Sequence, residues 1–484
     1  MVCRNCAVYS LQRFVMRGLF CIGLLSQIFE AFAQSQAPAL KTTAIPRIQK
    51  AELLNGLRVL AVESPGEIAT INVLVKSGSF VDASDKAGLA NLTAQSACFA
   101  NAKLPLQQWK DELEFLKARI QVRVTTDATV FQAQAPASHV EGILSLFARL
   151  LVRPVFTQEG VDRIKCELRS SKLSASEPHE IARLHLRELV FRQTGCARGE
   201  WGTPESVNAL RIRDLEAFHQ AHYRPNNTAL IVVAGPPMPR LGDLVREKFG
   251  SWIKVTAQPM EPPVAPIPAR SVVRVVDRKT ATDATILLGH SAPARQTPDF
   301  FALTLANTVL GGLGKDSRLE QALSKRNIPH KTLNSVLDLK ESCGWFQVSA
   351  QTPLDALPGA FSAILESIED LKTRPISETE LSQAKSALLS KHQSDLGTDT
   401  GVADHVTTIE LLDLARDFLS GFPLRVDQVS SERVQEAAKN YLSSTQISGV
   451  IVGDVDTVKA ALAGFRSFEI SERRELETKP ASGK

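Results

Sequence analysis

Two segments of this chain repeat at nearly the same separation, and this internal duplication constrains the fold more than any other feature. Residues 223–235 (YRPNNTALIVVAG) resemble residues 441–453 (YLSSTQISGVIVG) at a separation of 218, and Lys165 matches Lys385 at a separation of 220. Each segment combines a helix end, a turn and a β-branched strand. Chance similarity between amphipathic segments is the alternative. Because repeats of this kind indicate a duplicated unit, we predict two homologous domains.

A proline-rich stretch lies between the two repeats. Residues 255–270 (VTAQPMEPPVAPIPAR) contain five prolines and no periodic pattern. Proline at this density favours an extended, semi-rigid spacer. We therefore predict a first domain at residues 34–254, a linker at 255–270 and a second domain at 271–484.

The order of strands and helices within each half predicts the fold class. Strands are followed by paired helices instead of alternating strictly with them, which is typical of an α+β sheet with helices packed on one face. We predict two such domains, each with an antiparallel-rich sheet. The predicted elements are strands at 57–63, 71–82, 271–277 and 284–289, a hairpin at 119–134, and helices from about 86, at 140–151, at 158 to about 190, and from about 299.

The first 33 residues have the composition of a secretory signal peptide. Three arginines precede a short apolar run at 18–26, and Ala31 and Ala33 place small residues before a predicted cleavage site at Ala33/Gln34. A membrane anchor is the alternative, but spanning a bilayer takes about 20 apolar residues. We therefore predict a periplasmic or secreted protein with no membrane span after cleavage.

Charge and cysteine content exclude one class of partner and leave disulfide pairing open. The net charge is +4, and removing the predicted leader, with three arginines and one glutamate, leaves about +2. No basic run or patch with interleaved aromatic residues remains, so we expect no nucleic acid partner. The remaining cysteines are Cys98, Cys166, Cys196 and Cys343, which have no metal-ligand spacing.

Four segments of the chain together carry a family resemblance: residues 77–99 (SGSFVDASDKAGLANLTAQSACF), 201–236, 285–312 and 317–319. The first resembles the active-site segment of the pitrilysin and mitochondrial processing peptidase family of inverzincin zinc peptidases, the second resembles a later part of its first domain, and the last two resemble its second domain. The resemblance extends over most of the chain. It implies that the two domains form half of a clamshell.

The resemblance also shows which zinc-binding residues this chain lacks. The family motif H-x-x-E-H carries two zinc ligands and a general base, and Asn91, Ala94 and Gln95 occupy those positions. The third ligand of the family is a glutamate 75–77 residues further on, where residues 170–172 are Ser, Ser and Lys. The nearest acid is Glu167, and one carboxylate cannot replace three protein ligands. We therefore predict no catalytic residue and no zinc.

Two other sets of residues are candidates for a functional role. His219 and His222 have the i, i+3 spacing of a helical metal pair, but the family has a packing helix there, which favours structural histidines. In two-chain family members one subunit holds substrate with an Arg and a Tyr of its second domain. Here Ser324 stands in place of that Arg, and Lys331 or His330 in place of that Tyr, so this chain lacks the Arg and Tyr pair.

A strand of the first domain remains a candidate for binding substrate. Family members take up a peptide as an additional strand at an exposed sheet edge, which requires backbone hydrogen bonds and no particular side chain. The resemblance places that edge at residues 120–125, so Gln121, Val122, Arg123 and Val124 are the predicted peptide-binding residues. The alternative is an ordinary strand in which Arg123 prevents unwanted pairing.

Together these observations predict an exported pseudopeptidase. We expect a non-catalytic subunit that pairs with a zinc-peptidase relative as a heterodimer and closes a peptide-processing chamber, with no cofactor of its own. One alternative is a zinc endopeptidase with a rebuilt metal site. Another is a stand-alone binding or scaffold protein.

Overall fold

The computed structural model of the chain describes residues 46–99, 106–170, 177–192, 194–235, 238–255, 271–415 and 417–474. The predicted leader, and all of the predicted linker except Val255, lie outside these residues. The cleavage site at Ala33/Gln34 and the predicted domain boundaries therefore stay predictions.

The first half of the chain builds one six-stranded sheet. Its strand order is β1-β2-β6-β3-β5-β4, and β2 and β6 form its one parallel pair. Strands β3 and β6 are almost wholly buried, as expected for central strands covered on both faces. The strands are β1 (Ile48–Glu52), β2 (Arg58–Glu63), β3 (Ile68–Val75), β4 (Arg119–Val124), β5 (Thr129–Pro136) and β6 (Thr228–Ala234).

The second half builds a second sheet of the same size. Its strand order is β12-β7-β11-β8-β10-β9, in which β12–β7 and β7–β11 are parallel and the other pairs are antiparallel. The strands are β7 (Ser271–Asp277), β8 (Asp283–Ser291), β9 (Thr332–Asp338), β10 (Trp345–Pro353), β11 (Ser448–Gly453) and β12 (Phe468–Arg474).

Helices follow the strands in the same order in both halves. In the first half they are α1 (Leu89–Phe99), α2 (Leu106–Phe115), α3 (Val140–Leu151), α4 (Gln158–Leu168), α5 (Pro178–Phe191), α6 (Pro204–Ala209), α7 (Ile212–His222) and α8 (Met238–Phe249). In the second half they are α9 (Phe300–Asn307), α10 (Arg318–Lys325), α11 (Leu357–Thr373), α12 (Glu378–Leu396), α13 (Asp399–Leu411), α14 (Phe418–Asp427), α15 (Ser431–Tyr441) and α16 (Val455–Leu462).

The two halves share one topology, which confirms the predicted fold class. Five strands of each sheet occupy equivalent positions, and only the sixth differs, since β1 precedes its sheet in sequence while β12 follows. The matched lysines also have the same role. Lys165 Nζ donates to the Leu210 carbonyl at 2.6 Å, and Lys385 Nζ donates to the Asp427 carbonyl at 2.6 Å. Each lysine thus anchors the chain just before an equivalent helix, α7 or α15.

The halves exchange one helix each, which the sequence did not predict. Helix α5 of the first half packs on the second sheet, against β8 and β11, while α13 of the second half packs on the first sheet, against β3 and β6. Helices of its own half cover the opposite face of each sheet, as predicted. The exchange therefore buries both faces of the central strands.

The two exchanged helices are held by different forces. Helix α5 presents apolar side chains, among them Leu186 and Val190, to a cluster with Leu287 and Val450. A disulfide between Cys196 and Cys343, which the sequence left open, lies in the same cluster and joins the two halves. Helix α13 also makes polar and charged contacts with the first sheet, among them the hydrogen bond from Asn72 to Thr407 and the Arg123–Asp404 ion pair.

Two predicted elements have different bounds in the structure. The predicted helix from 158 to about 190 is two helices, α4 and α5, because Pro178 stands in the first turn of α5 and lacks the N–H that a continuous helix requires. The predicted strand at 71–82 is β3, which ends at Val75 and is followed by a turn of 3-10 helix at Ser79–Val81. In the part of the chain described above, no helix has the length and apolar character of a membrane span.

Candidate functional site

Helix α1 carries the three positions that correspond to the zinc motif. Asn91, Ala94 and Gln95 have helical i, i+3 and i+4 spacing and therefore share one face. Asn91 and Ala94 are fully buried, and Gln95 is half-buried. Both amide atoms of Asn91 are buried with no hydrogen-bond partner among the described residues. This face thus contains two amides and a methyl group in place of two imidazoles and a carboxylate.

A buried aspartate fixes the start of α1. The Asp82 carboxylate accepts hydrogen bonds from the Gly88 and Ala90 amides, both at 2.9 Å, and Arg198 donates to the Asp82 carbonyl at 2.6 Å. Burial raises the pKa of Asp82 to about 7, although the two amides and Arg198 oppose the shift. Amides at a helix N-terminus are commonly satisfied by such side chains. Asp82 therefore has a structural role, which the S-G-S-F-V-D segment did not by itself indicate.

The turn before Asp82 requires a glycine. A side chain at Gly78 would place its Cβ 2.2 Å from the Thr125 carbonyl oxygen and 2.4 Å from that of Thr126. The Ser79 and Phe80 amides donate to the same two carbonyls, at 2.9 and 3.0 Å. These contacts seat the segment that leads into α1 against the turn between β4 and β5.

The segment that corresponds to the third zinc ligand, residues 170–172, contains no acidic residue. It follows α4, which packs against α1. The Glu167 side chain is mostly exposed and pairs with Arg163 at 2.8 Å, while Ser170 Oγ donates to the Glu167 carbonyl at 3.1 Å. Residues 171 and 172 lie outside the described part of the chain. Glu167 is therefore a solvent-exposed member of an i, i+4 ion pair.

The zinc ion that the family motif implies does not fit the residues present. Neutral amides are poor zinc ligands, and an alanine methyl group can neither bind metal nor transfer a proton. A catalytic zinc requires three protein ligands. Within the described ranges no three His, Cys, Asp or Glu side chains converge on a possible metal position. No chemical step through zinc is therefore derived for this chain.

The histidine pair of α7 is built into the fold. His219 Nε2 lies 2.8 Å from the Leu151 carbonyl, and burial lowers the pKa of His219 to about 4. His222 Nδ1 lies 3.1 Å from Ser77 Oγ, and burial lowers its pKa as well. The two rings thus contact different neighbours, and they are structural residues, as the sequence favoured.

The positions that correspond to the substrate-holding Arg and Tyr are engaged with nearby acids. Ser324 Oγ donates to Glu320 at 3.3 Å, and His330 Nε2 lies 3.0 Å from the same carboxylate. Lys331 is paired with Asp283. Lys325 and Arg326 end α10, and Arg326 is paired with Glu366. The charges of Lys331 and Arg326 are thus each offset by a neighbouring carboxylate.

Strand β4, with the predicted peptide-binding residues, lies at the edge of the first sheet. Among the described strands it pairs only with β5, and it packs against α1. Ile120, Val122 and Val124 are half-buried against the core beneath the helices, while Gln121 and Arg123 are exposed. The structure thus brings the four predicted residues to a sheet edge beside the altered motif.

The backbone of β4 has a definite register at this edge. At the turn, the Thr125 amide donates to the Ala128 carbonyl at 2.8 Å. Antiparallel pairing alternates between hydrogen-bonded and non-hydrogen-bonded residues. Arg123 and Gln121 therefore bond to β5, and Val124, Val122 and Ile120 direct their N–H and C=O groups away from it. These outward groups are the ones that an added strand would use.

The duplicated α+β architecture, with an altered zinc-motif helix beside the edge strand β4, defines the class of two-domain peptidase-like proteins. The family model described as "Insulinase (Peptidase family M16)" matches residues 58–203, and the model described as "Peptidase M16 inactive domain" matches residues 209–388. The chain belongs to the M16 peptidase family, which confirms the resemblance identified from its sequence.

Relatives and solved structures agree with this assignment. The chain is 21% identical to a mitochondrial-processing peptidase subunit beta of Lentinula edodes, over 90% of this chain and 97% of that protein. It is 24% identical to an uncharacterised zinc protease of Mycobacterium leprae, over 66% of this chain and 71% of that protein. The crystal structure of a peptidase M16 inactive domain from Pseudomonas fluorescens superposes with a TM-score of 0.77 at 22% identity, covering 84% of this chain and 98% of that one.

Proposed function

We propose that this protein is an exported, non-catalytic M16 subunit that pairs with a zinc-bearing relative and holds peptide at strand β4. The observation that carries the proposal is the α1 face, where Asn91, Ala94 and Gln95 leave neither a ligand set nor a general base. Loss of this chemistry combined with an intact fold favours a partner role over catalysis by the chain itself. The relative would supply the zinc and the base.

Two features support the remaining parts of the proposal. The disulfide between Cys196 and Cys343 favours export, because disulfides persist in oxidising compartments and are rare in the cytosol. The outer edge of β4 next to α1, which no other described strand covers, supports peptide binding, because an added strand recognises its partner mainly through backbone hydrogen bonds. A zinc endopeptidase with a rebuilt site is not supported, since no alternative ligand group occurs among the described residues.

Replacing Val122 by proline tests peptide binding at β4. Proline removes the outward N–H of residue 122 but leaves the pairing of β4 with β5 intact, as is tolerated in edge strands. We expect the affinity for a short fluorescent peptide of alternating serine and valine, measured by anisotropy, to fall roughly tenfold or more, since one hydrogen bond is lost and the ring obstructs the added strand.

Two control variants make this test specific to the register. Val122→Thr keeps the N–H and the branched shape, so its affinity should stay within about twofold of the wild type. Gln121→Pro removes a donor that bonds to β5 and should lower the melting temperature instead. Equal peptide affinity of Val122→Pro and the wild type would show that peptide does not add to this edge.

A further inference from the structure

One carboxylate of the second half contacts side chains from three adjacent strands of the first sheet. Asp404, on α13, accepts hydrogen bonds from Asn72 of β3 at 3.3 Å and from Gln132 of β5 at 3.2 Å. It also pairs with Arg123 of the edge strand β4, with Nη2 at 2.5 Å from one oxygen and Nη1 at 3.3 Å from the other. No other acid in the described ranges forms an ion pair with Arg123.

The amides in this network are buried, so their hydrogen bonds matter to the fold. Asn72 is 0% exposed and Gln132 is 6% exposed. Gln132 donates to the Asn72 carbonyl oxygen at 3.0 Å, and Asn72 donates to Thr407 Oγ1 of α13 at 3.0 Å. Because buried polar groups are costly when unpaired, this set of contacts holds α13 in one position on the sheet. Asp404 is thereby placed at a fixed distance from β4.

Arg123 is the part of the network that lies on the peptide-binding edge. A charged side chain on an edge strand is a known means of preventing the addition of another strand. Here both oxygens of Asp404 hold the guanidinium over the sheet face covered by α13. That face is opposite to the one on which Ile120, Val122 and Val124 pack towards the core with α1. The paired Arg123 therefore leaves the outward backbone groups of β4 accessible.

We propose that Asp404 is a positioning residue for peptide binding: it restrains Arg123 so that the free edge of β4 accepts a neutral, extended peptide. This inference rests on the proposed function of β4. It implies that α13, a helix of the second half, determines whether the first half prefers neutral or acidic peptides. Without Asp404, the guanidinium is released near the edge, where it obstructs neutral peptides and attracts acidic ones.

The test compares Asp404→Asn with the double variant Asp404→Asn, Arg123→Met. Two labelled peptides serve as probes: one of alternating serine and valine, and one in which glutamate replaces serine. For Asp404→Asn we expect roughly tenfold weaker binding of the neutral peptide, a ratio equal to about 1.4 kcal/mol, and a shift in preference towards the acidic peptide. The double variant should bind the neutral peptide within about threefold of the wild type.

A structural role alone predicts a different pattern. If Asp404 merely stabilised the fold, the double variant would bind no better than the single variant, and the preference between the two peptides would not change. Either result would overturn the inference. Arg123→Met alone completes the cycle: in its background, adding Asp404→Asn should change the affinity for the neutral peptide by less than about threefold, because Asp404 acts through Arg123.

The Val122→Pro variant separates this inference from the proposed function. If Val122→Pro weakens binding while Asp404→Asn does not, β4 binds peptide and the positioning role of Asp404 is wrong. If the wild type fails to bind the neutral peptide, or binds it no better than Val122→Pro does, peptide binding at β4 is wrong and the inference fails with it.

Discussion

Replacing Arg318 by methionine is expected to lower the free energy of unfolding by about 3–5 kcal/mol, the loss typical of breaking a buried ion pair. Arg318 begins α10, and its side chain is 1% exposed. Its guanidinium donates to both oxygens of Glu380, at 2.8 and 3.2 Å, and to the Asp370 and Pro375 carbonyls at 3.0 and 3.1 Å. Methionine leaves the largely buried Glu380 without its closest cation, and among the described residues only Arg374, at 3.8 Å, remains as a cation near it. Denaturant unfolding measures the loss.

An exposed arginine nearby provides the matched control. Arg326, at the end of the same helix, pairs with Glu366, and these side chains are 42% and 54% exposed. Exposed pairs contribute about 0–1 kcal/mol, so Arg326→Met should change stability little. If the two variants lose equal stability, burial of the Arg318 network does not stabilise the junction of α10, α11 and α12.

The same pair predicts a pH dependence. Burial by itself raises the pKa of Glu380, but hydrogen bonds from Arg318 and Ser377 outweigh it and lower the pKa from 4.5 to about 2. A lowered carboxyl pKa contributes stability above the unfolded pKa, and this contribution is lost as the pH falls through the folded value. The stability difference between the wild type and Arg318→Met should therefore shrink as the pH falls from about 5 to 2.

Removing the disulfide is expected to have an effect of similar size. Cys196 and Cys343 are separated by 147 residues, and both are buried. In the chain-entropy model, a cross-link that closes a loop of this length stabilises the folded state by about 4–5 kcal/mol, because it lowers the entropy of the unfolded chain. Measured contributions of disulfides to stability are typically about 2–4 kcal/mol. We expect the double variant Cys196→Ala, Cys343→Ala to lose about 3–5 kcal/mol in denaturant unfolding.

The free cysteine of α4 is the control for this prediction. Cys166 is exposed and unpaired, so Cys166→Ser should leave stability within about 0.5 kcal/mol of the wild type. Because α5 keeps its apolar contacts with the second sheet, the double variant should still fold. An unchanged unfolding midpoint in the double variant would mean that the cross-link does not hold the two halves together.

Much of the fold could be predicted from the sequence because it depends on local patterns. The alternating segment at 119–134 is the β4–β5 hairpin, and the apolar period at 140–151 is α3, with the same bounds. The matched segments that end at Gly235 and Gly453 contain the equivalent strands β6 and β11. These elements needed no information from distant parts of the chain.

The exchange of α5 and α13 could not be predicted, because the partner of a helix face lies far away in sequence. The apolar pattern of α5 indicates that one face is buried but not which sheet buries it. The break before α5 was missed for a related reason: the apolar pattern continues past Pro178, although α4 ends at Leu168 and α5 begins at Pro178.

The candidate site was predicted in part. The loss of the zinc ligands was visible at Asn91, Ala94 and Gln95, because their positions are fixed by a motif. The contacts of Asp82 with Arg198 and of Asp404 with Arg123 were missed, because each joins residues that are far apart in the chain. Asp404 lies 281 residues from Arg123 in the chain, and nothing near either residue indicates the pair.

The most direct test of a non-catalytic subunit is the zinc content of the purified full-length chain, measured by elemental analysis alone and after co-expression with its nearest relative that has an intact H-x-x-E-H motif. We predict far less than one zinc per chain and no peptidase activity for the chain alone. We predict an active complex with about one zinc per pair of subunits, as one catalytic site requires. A chain that alone retains about one zinc and cleaves peptides would contradict the interpretation of Asn91, Ala94 and Gln95 as an inactive site.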